Sequence, residues 1–233
     1  MTRALFFDVF GTVVDWRSSI SAELQRWGEE HGLERDWAAM ADRWRALYQP
    51  CMEPIRSGAR GYVKLDVLHR ENLDQVLTEY GLEKTRESER IQLSRAWHRL
   101  TAWPDVVPGL TRMKAHHILA PVSNGNIALM VNLARNAGLP WDTILGSEIA
   151  QDYKPMGSVY LKSAEALDLA VEDCMMVAAH NDDLRAARSF GLKTAFVMRP
   201  QEHGSQQTKD LKAEEDWDYV VEDFIRLAER LGC

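Results

Sequence analysis

From Pro104 onward, short apolar runs are separated by stretches with helical spacing, and this alternation constrains the fold more than any other feature of the chain. Runs at Ile118–Val122, near Thr143–Leu145, at Met175–Ala179 and at Thr194–Val197 are divided by predicted helices over 127–137, 157–167 and 182–190. A helix over 108–115 precedes them, and Tyr219–Val221 reads as a last short strand before a C-terminal helix. The runs are apolar on successive residues, as expected of strands buried on both faces, and helical crossovers between such strands imply a parallel sheet. An N-terminal run, Ala4–Phe7, adds one more strand and ends on Asp8.

Between the first strand and the rest, strand signals stop for about a hundred residues. Ile20, Leu24 and Trp27 recur at helical spacing behind Ser18 and Ser19, which read as caps. Asp36 precedes a second set, Trp37, Met40, Ala41, Trp44, Leu47 and Tyr48, and Pro50 with Ser57-Gly58 interrupts it. Val67 through Tyr80 give a third helix with Gly81 at its end, and a fourth starts at Thr85 and ends near Leu100. The expected organisation is an α/β core with a doubly wound, Rossmann-like parallel sheet (residues 1–14 and 101–233) and an inserted all-α unit (residues 15–100).

Composition narrows the function classes. A net charge of −7 argues against a nucleic-acid or anionic-membrane surface. No apolar run approaches the roughly 18 residues of a membrane span, and the N-terminus has no signal-peptide pattern. Cys51, Cys174 and Cys233 are scattered, without metal-ligand spacing, and suit a reducing compartment. The expectation is a cytoplasmic protein acting on a small molecule.

In open α/β sheets ligands gather beyond the carboxyl ends of the strands. Polar clusters stand at four of these ends: Asp8, Ser123-Asn124, His180–Asp183, and Lys154 in the loop after the weak strand near 143–145. The segments DVFGT (8–12), VSNGN (122–126), DYKP (152–155) and VAAHNDDL (177–184) resemble, in order, the four motifs of the haloacid dehalogenase superfamily. The likeness runs over essentially the whole chain, with 15–100 in the place of that family's helical cap domain. Most members read DxDGT and are magnesium-dependent phosphatases whose second aspartate protonates the leaving group. Here that position is Phe10. An aromatic residue there, together with Tyr153-Lys154-Pro155 and Tyr160, is similar to the type II (S)-2-haloacid dehalogenase branch.

The substitution is chemically coherent. A halide departs without being protonated, and a carboxylate with an ordinary pKa near 3.9 is already ionised at neutral pH. Phosphate esters expel a far more basic alkoxide and want an acid nearby. The resemblance therefore implies hydrolysis of a small 2-haloacid to a 2-hydroxy acid, without metal or cofactor, through an ester on Asp8. It implies Lys154 holding Asp8 ionised, Thr12 and Ser123 bonding the Asp8 or substrate carboxylate, and Asn124 receiving the halide. Asp183 is preferred over Asp182 as the group that orients or activates water, with Asp182 read as the helix cap. His180 stands where relatives carry asparagine, as its replacement or as the base itself. For the substrate carboxylate the cap offers Arg45, in a Trp-Arg pair, with Arg43 as alternative. Trp16, Tyr48 and Tyr160 are candidate lining residues, and a homodimer is expected from the branch. The rival readings are a phosphatase of the same superfamily and a non-catalytic small-acid binder.

Overall fold

The computed structural model describes residues 2–233. Ala4–Phe7 forms β1, buried along its whole length, and the chain then turns into a two-residue strand, Val14–Asp15 (β2). Helices follow at Trp16–Glu30, Trp37–Ala46, Tyr48–Arg56, Leu65–Glu79 and Glu87–Ser94, with a 3₁₀ turn at Arg95–His98. The strand Thr101–Ala102 (β3) then pairs antiparallel with β2, setting Asp15 opposite Thr101, so the helical segment leaves and re-enters the α/β part at one place. The remaining strands are Ile118–Ser123 (β4), Leu145–Gly146 (β5), Cys174–Ala178 (β6), Lys193–Val197 (β7) and Tyr219–Val221 (β8).

The main sheet is six-stranded and parallel, in the order β5-β4-β1-β6-β7-β8. Alternate residues divide the strands between two cores. Leu5, Phe7, Leu119, Met175 and Val177 pack with the helices Val106–Met113, Ile127–Ala137 and Phe224–Leu231, and this core runs on into the helical segment. Ala4, Phe6, Ala120, Val122, Met176 and Phe196 pack with the helices Gly157–Glu165 and Asn181–Ser189 on the other face. β1 lies between β4 and β6, so Asp8 emerges at the centre of the sheet, beside the carboxyl ends of both neighbours.

Several local expectations are corrected. The first helix is capped by Asp15, whose carboxylate accepts from the Ser18 amide; Ser18 and Ser19 lie inside it. Pro50 does not break the chain: it sits in the first turn of Tyr48–Arg56, where amide hydrogens have no intrahelical partner and a proline costs little. Asp182 is not a cap. The helix Asn181–Ser189 has His180 at that position with no side-chain cap bond, and Asp182 is exposed and pairs with Arg185.

Candidate active site

The turn after β1 is fixed before any substrate enters. The Asp8 amide donates to the Val177 carbonyl at 3.0 Å, and the Ala179 amide donates to Thr12 Oγ1 at 2.8 Å. Arg199, itself ion-paired with Asp105, donates to the Thr12 carbonyl at 2.9 Å. The Asp8 carboxylate is thereby held with little freedom, 7% exposed, in the wall of a cavity of about 370 Å³. Phe10, Arg45, Tyr48, Asn124, Lys154, Tyr160, His180 and Asp183 share that wall.

Both oxygens of Asp8 carry donors. Oδ1 accepts from Lys154 Nζ at 2.8 Å; Oδ2 accepts from Thr12 Oγ1 at 2.7 Å and lies 3.0 Å from His180 Nδ1. Burial alone would raise this carboxyl, but Lys154 and His180 outweigh it and hold Asp8 well below the usual carboxylate range. Lys154 also donates to Asp183 Oδ2 at 2.5 Å, and Tyr160 donates to Asp183 Oδ1 at 2.6 Å. Burial lowers the lysine, yet Asp183 and Asp8 more than restore it, so it stays an ammonium. For Asp183 burial, helped by the charge of Asp8, raises the carboxyl in spite of Lys154.

His180 links Asp8 to a residue that the sequence reading missed. Its Nε2 lies 2.8 Å from Glu202 Oε2, and Glu202 Oε1 accepts from Trp16 Nε1 at 3.0 Å. Glu202 is 1% exposed, and although burial opposes it, His180 brings its carboxyl down to about 2. The imidazole loses proton affinity by burial and regains more from Glu202 and Asp8, so its affinity ends well above the ordinary one. Glu202 belongs to an irregular segment after β7, five residues beyond the strand end. Its only sequence signal was that position, at the carboxyl edge of a further strand.

The cap contributes Arg45. Its guanidinium stands 4.1 Å from the Tyr48 ring centroid, 5.3 Å from that of Trp16 and 5.9 Å from that of Phe10, and its buried Nη1 has no partner among the described residues. Arg43 points elsewhere, forming an exposed ion pair with Glu79. Asn124 Oδ1 accepts from the Lys154 amide at 2.7 Å, which identifies the other terminal atom of its amide as the NH2 donor. Ser123 is away from the wall: its hydroxyl, fully buried, accepts from the Gly125 amide at 3.1 Å and shapes that turn. Trp16 lies in an adjacent hollow with Glu202 and His203. Gln49, Lys209 and Asp210 line the cavity without having been expected there.

The donor set does not suit a divalent ion. The place between Asp8 and Asp183 is taken by the Lys154 ammonium, which bonds both carboxylates. Among the described residues no three His, Cys, Asp or Glu side chains are grouped as metal ligands.

Comparison with known proteins identifies the family and the fold. The family model for haloacid dehalogenase-like hydrolases matches residues 2–191. The structure of the defluorinating L-2-haloacid dehalogenase Rha0230 superposes with a TM-score of 0.98 at 51% identity, covering 100% of this chain and 96% of that one. The L-2-haloacid dehalogenase PA0810 gives 0.97 at 45% identity, covering 100% and 99%. (S)-2-haloacid dehalogenase 1 of Pseudomonas sp. (strain CBS-3) is 27% identical over 219 residues, 86% of this chain and 88% of that protein. This chain belongs to the haloacid dehalogenase-like hydrolase family, and within it to the branch of the L-2-haloacid dehalogenases.

Proposed function

We propose that the protein hydrolyses a small (S)-2-haloacid to the (R)-2-hydroxy acid through an ester on Asp8, without a metal. The observation that carries this is the pairing of a buried, ionised Asp8 with Phe10 on the same wall. The nucleophile is ready, and the residue that would protonate a basic leaving group is a hydrocarbon ring. Arg45, with an unpartnered nitrogen in an aromatic frame, takes the substrate carboxylate. Asn124, whose amide NH2 is a donor, takes the departing halide.

Backside attack by Asp8 breaks the carbon–halogen bond and inverts C2. A carboxylate held this firmly against a bound haloacid gains an effective molarity of roughly 10⁵ M or more over a free one. Water then attacks the ester carbonyl, restoring Asp8. Two groups flank that carbonyl, Asp183 and His180. Asp183 already accepts from Lys154 and Tyr160, one on each oxygen, which suits a group that fixes Lys154. His180 touches Asp8 directly and is the better base. The helical segment is read as a cap domain that hinges at the β2–β3 pair, and the substrate enters between it and the sheet. The described residues include no helix long and apolar enough to cross a membrane.

A single turnover in ¹⁸O-water, with enzyme in excess over (S)-2-chloropropionate, tests the route. The hydroxyl of the product should be unlabelled and the label should appear in the peptide containing Asp8. Labelled product with unlabelled Asp8 would mean direct attack by water. Magnesium-dependent hydrolysis of a phosphate ester, with no halide release, would return the phosphatase reading.

A further inference from the structure

His180 is held between two carboxylates, and the reaction converts one of them to a neutral ester. We propose that alkylation of Asp8 is what turns His180 into a base: the imidazolium, having lost one carboxylate partner, releases its Nδ1 proton to solvent before the ester is hydrolysed, with Glu202 keeping the ring aligned throughout. This deepens the dehalogenase reading and rests on it.

The geometry defines the two states. In the free enzyme His180 Nδ1 is 3.0 Å from Asp8 Oδ2 and Nε2 is 2.8 Å from Glu202 Oε2. Both ring nitrogens therefore face anions, and both must carry hydrogen. An imidazolium cannot accept a proton from water, so as found the site is set for alkylation and not for hydrolysis. Whichever oxygen of Asp8 is alkylated, the carboxylate loses its charge. Glu202 then remains the one anion bonded to the ring. Buried at 1% exposure and anchored by Trp16, it fixes Nε2 as the nitrogen that keeps its hydrogen, which leaves Nδ1 free to face the ester.

Of the other charged groups around the ring, the cations Arg45, Lys154 and Lys209 favour loss of the proton, and the carboxylate Asp210 is engaged by Asn181. Arg45 from the cap lines the cavity beside His180, and Lys154 stands across Asp8. Both are cations, and Lys154 no longer has the Asp8 charge between it and the imidazole. His203, on the same segment as Glu202, loses proton affinity through burial and adds no anion. On its own helix, Asp182 is exposed and paired with Arg185, while Asp183 is engaged by Lys154 and Tyr160.

The protons balance. Substrate and Asp8 carboxylate give ester and halide, with His180 still protonated. His180 then releases one proton to solvent. Neutral His180 takes a proton from water as its oxygen adds to the Asp8 carbonyl, and returns a proton to the alkoxide as the tetrahedral intermediate collapses. Asp8 is left as a carboxylic acid beside neutral His180, and proton transfer restores the starting pair. The sum is haloacid plus water giving hydroxy acid, halide and one proton.

Asp8→Asn is a stable, neutral stand-in for the ester and allows an equilibrium test. The ¹⁵N chemical shifts of the His180 ring should show an imidazolium at pH 7 in the wild type, with a titration midpoint at least one pH unit lower in Asp8→Asn, a tenfold or greater loss of proton affinity. Glu202→Gln should also lower the midpoint and provides a second variant should Asp8→Asn fail to fold. An unmoved midpoint in either folded variant, or a neutral ring in the wild type, would overturn the proposal. A single turnover of (S)-2-bromopropionate in weak buffer with a pH indicator adds a kinetic arm. One proton should appear with bromide and ahead of hydroxy acid, whereas a proton tracking only the hydroxy acid would also overturn it. If no halide is released, the dehalogenase reading fails by itself, and the midpoints still report on the pairing.

Discussion

Gly11 and Glu202 compete for the same space: a Cβ built on Gly11 would lie 2.1 Å from Glu202 Oε1. The glycine of DVFGT thus serves the turn through its φ of +91° and also leaves room for the carboxylate that bonds His180. Gly11→Ala should lower stability by about 1–2 kcal/mol from the positive φ alone, about 2–8 °C in melting temperature for a chain of this size. It should also displace Glu202 and cost at least tenfold in kcat. Differential scanning fluorimetry with halide-release kinetics checks both, and an unchanged kcat would mean that Glu202 does not matter to the reaction.

Removing Arg45 should be costly and removing Arg43 should not. Arg45→Ala deletes the half-buried cap cation on the cavity wall and should reduce kcat/KM by about 10–100-fold, the scale of a charged hydrogen bond of about 1.5–3 kcal/mol. Arg43→Ala breaks an exposed ion pair with Glu79 and should stay within twofold. The reverse order, measured on 2-chloropropionate, would move the substrate to another part of the cap.

The two half-reactions should separate genetically. His180→Asn should still form the ester but hydrolyse it slowly, so intact mass after mixing with substrate should show the enzyme plus one carboxyalkyl group on Asp8. Asp183→Asn loosens Lys154 and should slow alkylation, without such accumulation. Ester trapped in Asp183→Asn and not in His180→Asn would give the role of base to Asp183.

Stability should fall at both ends of the pH range. Glu202 is depressed to about 2 from an ordinary 4.5, so its contribution is present above the ordinary value and lost as the pH falls toward 2. His180 is raised, so its contribution is complete below about 6.5 and is lost as the pH rises through its folded midpoint. Urea midpoints between pH 3 and pH 9 should show both declines. Glu202→Gln should flatten the acid decline and His180→Asn the alkaline one; unchanged slopes would mean that neither group is perturbed as the structure implies.

Chelation should leave activity intact. Lys154 holds the place between Asp8 and Asp183, so dialysis against EDTA should change halide release by less than twofold. Loss of activity restored by magnesium would contradict this.

The sheet was legible because its strands are buried on both faces and read as unbroken apolar runs, and each expected run became a strand to within about two residues. The helix Tyr48–Arg56 was hidden by Pro50, whose effect depends on its being in a first turn, a position that the sequence alone does not announce. The β2–β3 pair has two residues a side, too few to carry a pattern. In the site, Asp8 and His180 stand within two residues of a strand end, while Asp183, inside the helix Asn181–Ser189, and Lys154, in the loop after β5, were singled out by the segments VAAHNDDL and DYKP. Arg45 was separated from Arg43 by the Trp-Arg order of the family it resembles, and of the two the structure puts only Arg45 on the cavity wall. Glu202 escaped because its role comes from folding an irregular segment back over Gly11, a contact between residues far apart in the chain. Ser123 was drawn into the site by its neighbour Asn124, although its hydroxyl serves the local turn.

The antiparallel contact of Asp15 with Thr101 also bears on how the chain finds its fold. β1 pairs with β4 from Ala4 to Ile118, a separation of more than a hundred residues. Once Asp15 and Thr101 have met, the helical segment hangs off as a closed loop, and the chain path from Ala4 to Ile118 shortens to about thirty residues, which lowers the entropy cost of closure by about 1 kcal/mol. Contact order counted along the covalent chain therefore overstates the search that β1 faces, and the central pairing of the sheet should form faster than its sequence separation suggests.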